Sequence, residues 1–190
     1  MLWHMGRKLT LQIIIIVALV IGYGIYNAVH SQRPAQSAAT QGTGSQPTSA
    51  VLGAQTKTTG CSVRGALPDP DCTPGAAIPT ATTADICKSG YASSVRNVPA
   101  GTKAKVYREY GITSHPTGSY EVDHLVSLEL GGSNDIANLW PEAAEPAPGF
   151  HEKDVVENYL HGQVCSGKMT LSTAQQEIST NWLNIYSTVK

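Results

Sequence analysis

The stretch from Tyr120 to Glu142, YEVDHLVSLELGGSNDIANLWPE, constrains this chain more than any other. Its opening residues are β-prone and set an acid directly before a histidine, Asp123 and His124. The Gly131-Gly132 pair supplies a turn, and Asn138 then opens a second apolar run, Leu139-Trp140-Pro141. Some ten residues later His151 starts a segment whose apolar residues recur at helical spacing. The order predicted is strand, turn, strand, helix, with one chemically capable residue for each element.

That order, with GG and NLWP between the Asp-His pair and the later histidine, resembles the HNH nucleases, whose small ββα unit holds one metal ion. More closely, it is similar to short exported bacterial proteins carrying a DHL…LGG…NLWP pattern. The resemblance runs from about Cys72 to Trp182 and includes the tail HEKDVVENYLHGQVCSG. It implies an α+β fold: a ββα-metal core (120–165) with additional helices. It also implies a metal-dependent endonuclease that hydrolyses DNA, or RNA, with little sequence preference. By position, Asp123 matches the metal ligand and His124 the general base. Asn138 matches the middle residue, which braces the loop and orients the base, and His151 matches the last metal ligand on the helix. Many relatives carry Cys or His pairs and a second ligand near that last position. Here Glu157, Asp154 and Glu152 are the further candidates for ligation or support. The implied cofactor is one divalent ion, Mg2+ first, with Mn2+, Ni2+ or Zn2+ as alternatives.

The residue types suit that chemistry. Hydrolysing a phosphodiester needs a base to activate water and a cation to meet the charge on the phosphate. A histidine is neutral and ready near physiological pH, and a carboxylate suits a hard divalent ion. Neighbouring strand residues point to opposite faces. A regular strand therefore cannot aim Asp123 and His124 at one atom; either it bends there, or the two flank the phosphate from different directions.

Charge cuts the other way. The whole chain carries a formal net charge of -1, so nothing global advertises a polyanion partner. Between Tyr120 and Gln163 the acids are Glu121, Asp123, Glu129, Asp135, Glu142, Glu145, Glu152, Asp154 and Glu157, against the single base Lys153. Affinity for DNA comes mostly from neutralising phosphates with Lys and Arg, which leaves Arg96, Lys103, Lys105, Arg108 and Lys153 as the phosphate-contact candidates. The acidic surroundings support a second reading, an inactive HNH-like metal-binding or structural module at the cell envelope. A hydrolase of another phosphate ester is a third.

The rest of the chain sets the context. Leu9 to Val29 is uncharged and apolar on all sides, long enough to span a bilayer, and follows Arg7 and Lys8. It is expected to be a single-pass anchor with a cytoplasmic stub (1–8); a cleaved signal peptide, which would release the protein, is the competing reading. Residues 30–60 are Gln, Ser, Thr, Ala, Gly and Pro without periodicity and read as a flexible tether. Residues 61–190 then form the extracytoplasmic domain, expected to be monomeric. Four cysteines in an exported chain favour disulfides over free thiols and allow three pairings. The expected pairs are Cys61–Cys72, closing a Pro-rich loop, and Cys87–Cys165, tying the preceding segment to the core helix. Thr102 is expected to cap a helix from Lys103 to Tyr110, and Ser172 with Gln175 to box the start of a last helix. In the core helix Val155, Val156, Tyr159, Leu160 and Val164 are expected to form the buried side; Ile178, Trp182, Ile185 and Tyr186 form a core stripe on the last helix.

Overall fold

The computed structural model describes residues 52–190, so the stub, the expected anchor and residues 30–51 of the tether lie outside the described residues. Among the described residues no helix is long and apolar enough to cross a membrane. The hairpin forms where the β-prone runs predict it. Strand β1 (Tyr120–His124) pairs antiparallel with β2 (Leu139–Ala143), with Tyr120 opposite Ala143 and His124 opposite Leu139. The connection carries two 3-10 turns, Leu128–Leu130 and Ile136–Asn138, separated by the glycine pair. Gly131 takes a φ of 73°, and a Cβ on Gly132 would lie 1.8 Å from the Val126 carbonyl oxygen. Only glycine permits that approach.

Among the described residues there are five helices: α1 (Thr83–Ile86), α2 (Tyr91–Val95), α3 (Ala100–Glu109), α4 (Phe150–Cys165) and α5 (Leu171–Val189). The described part is thus α+β, and β1, β2 and α4 follow the expected strand, strand, helix order. Two helix starts differ from expectation. Helix α3 begins after Pro99, not Thr102, because the fixed φ of proline (-59° here) already suits helix entry. Thr170, not Ser172, caps α5 by accepting from the Thr173 N–H at 3.1 Å. Gln175 is instead fully buried, donating to the Leu130 carbonyl at 2.7 Å.

The core lies between α4, α5 and the hairpin connection, where Val156, Leu160 and Val164 meet Leu171, Ala174, Ile178 and Trp182, with Ile86, Val126 and Leu130. Val155 and Tyr159, expected on that side of α4, are 44% and 40% exposed. Their place in the stripe is taken by Lys153. Both expected disulfides are present, Cys61–Cys72 and Cys87–Cys165, with Cα atoms 6.1 and 5.7 Å apart. Residues 52–60, expected to belong to the tether, are held. Gln55 donates to the Cys72 carbonyl at 3.1 Å and to Glu109 at 2.8 Å, and the Thr56 N–H donates to the Asp71 carbonyl at 2.9 Å.

Candidate active site

Strand β1 runs regularly to its end, so Asp123 and His124 lie on opposite faces of the hairpin. His124 is 2% exposed, and its Nε2 lies 3.1 Å from Asn134 Oδ1. Asn134 is fixed by its other contacts: its Nδ2 donates to the Val95 carbonyl at 2.8 Å, and its Oδ1 accepts from the Asn97 N–H at 3.1 Å. An acceptor facing Nε2 requires a proton there, which leaves Nδ1 with the free lone pair. Burial lowers the His124 pKa; the Asn134 bond and the Asp123 charge oppose it without reversing it. The ring is therefore a neutral base at neutral pH, with its tautomer set by Asn134.

On this side a cleft of about 430 Å³ is lined by Arg96, Asn97, Pro99, Lys103, Val122 and His124. Arg96 directly follows α2 and Lys103 lies in the first turns of α3; both are exposed. The predicted basic cluster is thereby divided. Lys105 pairs with Glu109 at 3.6 Å, and neither it nor Arg108 lines the cleft. A cleft of similar size, about 420 Å³, lies beside Trp140, Tyr120 and Pro146, but its ionisable side chains are the carboxyls of Glu142 and Glu145, and neither lysine nor arginine lines it.

The Asp123 side is a buried charge cluster. Lys153, expected to reach a phosphate, is 1% exposed. Its ammonium donates to Asp123 Oδ2 at 2.6 Å, to the His124 carbonyl at 2.8 Å and to Glu157 Oε1. Burial works against that charge, and the carboxylates of Asp123, Glu157 and Glu142 outweigh it, so the Lys153 pKa is raised. Burial likewise pushes Asp123 up, but the ammonium wins and holds it below its ordinary value. Glu142 reaches the cluster from β2, 1% exposed, with no donor to either carboxyl oxygen. Burial first, then the nearby Asp123 charge, raises it well above the carboxylate range, so it is held as the neutral acid. Glu157 is pushed up to about 7 by burial, against the pull of Lys153.

The remaining predicted site residues divide between support and solvent. Asn138 is fully buried and braces the connection: its Oδ1 accepts from the Val126 and Ala76 N–H groups at 2.8 and 3.2 Å, and its Nδ2 donates to the Val126 and Ser133 carbonyls at 3.0 and 2.9 Å. Glu152 caps α4, accepting from the Gly149 N–H at 2.8 Å. Asp154 is exposed, its pKa raised by partial burial and by Asp123. His151 is exposed in the first turn of α4, its ring 4.3 Å from that of Phe150. The expected ligand pair differs in its surroundings: Asp123 Oδ2 is engaged by the Lys153 ammonium, whereas His151 is exposed. Among the described residues one group has ligand atoms within 4.8 Å of one another, Cys87, His161 and Cys165. Both of its sulfurs are joined in the disulfide, and His161 Nε2 lies 3.1 Å from the Ile86 carbonyl oxygen. In the oxidised protein the group therefore presents no thiolate to an ion, and the carbonyl facing His161 Nε2 requires a proton there.

No protein-family model matches the chain, and no curated protein or solved structure matches it. The chemistry of the site rests on its own atoms.

Proposed function

We propose that the chain is an HNH-type phosphodiester hydrolase acting on nucleic acid, DNA in the first place, with His124 as general base. The observation that carries this reading is the cleft joining a buried, neutral histidine to two exposed cations. A phosphate bound between Arg96 and Lys103 has its charge neutralised there, as binding to a polyanion backbone requires. Water attacks phosphorus and gives its proton to His124, the P–O bond to the leaving oxygen breaks, and solvent protonates that oxygen. Asn134 keeps the base in its tautomer and Asn138 holds the connection under it. The two disulfides and the run from Leu9 to Val29 support an extracytoplasmic domain on a single-pass anchor.

The test is cleavage of plasmid DNA and of RNA with Mg2+, Mn2+, Ni2+, Zn2+ or EDTA, beside the His124→Ala protein. The variant should lose roughly 10²–10⁴-fold in rate; cleavage equal to wild type sinks the assignment. The acid excess and the ion pair on Asp123 favour a second reading, an envelope scaffold without turnover. That reading gains if folded, disulfide-bonded protein cuts neither polymer under any of these conditions.

A further inference from the structure

The hairpin and α4 direct three carboxyl groups toward one buried region: Asp123 from β1, Glu142 from β2 and Glu157 from α4. Oxygen donors converging from separate elements are the set that a hard divalent cation takes. Here the point between Asp123 and Glu157 is filled by the Lys153 ammonium. The third carboxyl separates this arrangement from an ordinary buried ion pair. An ammonium has three N–H donors, and Lys153 spends them on Asp123, Glu157 and the His124 carbonyl. Glu142 is therefore left buried with no N–H donating to it; held as the neutral acid, it makes its hydrogen bond to Asp123 in the same cluster. A divalent ion, with six or more oxygen positions, would serve all of these groups.

We propose that the Lys153 ammonium occupies a divalent-cation position and bars metal ions from it. The cation that holds Asp123 and the His124 backbone is part of the chain. The inference rests on the proposed hydrolase only for its consequence there, cleavage that is indifferent to chelators.

The test uses the full-length protein in detergent, with Ca2+ and Mn2+ as probes, and compares wild type with Lys153→Ser. Two quantities are read: the thermal unfolding midpoint with Ca2+, and bound Mn2+ per chain by electron paramagnetic resonance. The wild-type midpoint should not move, and its Mn2+ signal should stay that of the free ion. Lys153→Ser should unfold at lower temperature, regain several degrees with Ca2+ and bind one Mn2+, all reversed by adding Asp123→Asn. The proposal is overturned if wild type binds Mn2+ in a manner that Asp123→Asn removes. It is also overturned if Lys153→Ser is indifferent to both ions, or stays unfolded with and without Ca2+. None of these readouts uses turnover, so absence of cleavage bears on the hydrolase reading alone.

Discussion

The His124 ring is aimed by a residue ten positions further on. Asn134 accepts from Nε2, and its own orientation is fixed by the Val95 carbonyl. Replacing it with aspartate keeps an acceptor in place but adds a negative charge, which favours the imidazolium. Asn134→Asp should therefore move the acidic limb of the pH–rate profile to higher pH, while wild type keeps that limb below the ordinary histidine value of about 6.5. A limb that does not move would remove Asn134 from its positioning role. At this scale the sequence was partly legible. Alternation along a strand already requires Asp123 and His124 to face opposite ways, and they do. The role of Lys153 was hidden, because a lone lysine among acids reads as solvated and its partners Asp123 and His124 lie about thirty residues earlier. One signal was present: Lys153 falls on the same helical stripe as Val156, Leu160 and Val164, so it faces inward with them.

Helix α4 carries both the ammonium and Glu157 one turn later, and the two titrate as parts of one packed element. Glu157 has an ordinary pKa of 4.5 and sits at about 7 in the folded protein. Between those values the folded state holds a proton that the unfolded state releases, so this group's contribution to stability is lost as pH rises. The stability of wild type relative to Glu157→Gln should fall by on the order of 3 kcal/mol from about pH 4.5 to 7, and stay level above. His124 contributes with the opposite sign, its folded pKa being lowered, but it is common to both proteins and cancels in the difference. Denaturant titrations at a series of pH values check this, and a flat difference refutes it. Element order was readable from the pattern, whereas helix starts were not. Serine and threonine cluster near some helix starts, as Thr170, Ser172 and Thr173 do at α5. Which one caps depends on where the preceding segment enters, as Pro99 and Thr170 show.

Across the whole molecule, Cys87–Cys165 joins α1 to the end of α4 across 78 residues of sequence. Closing a loop of that length restricts the unfolded chain, and removing it should cost about 4–5 kcal/mol. Cys87→Ala with Cys165→Ala should therefore lower the urea midpoint sharply. Removing Cys61–Cys72, separated by 11 residues, should cost nearer to about 3 kcal/mol. The reverse order would mean that the short bridge anchors more than its own loop. Both pairs could be proposed from sequence, since four cysteines allow only three pairings. The ordered stretch at residues 52–60 could not, because its attachments are to backbone and side chains of the Pro-rich loop and α3. The buried ammonium has a consequence at this scale too. A charge carried on a side chain is supplied by translation and installed by folding, with no uptake or insertion step. Every folded copy then carries its full complement, however scarce free ions become.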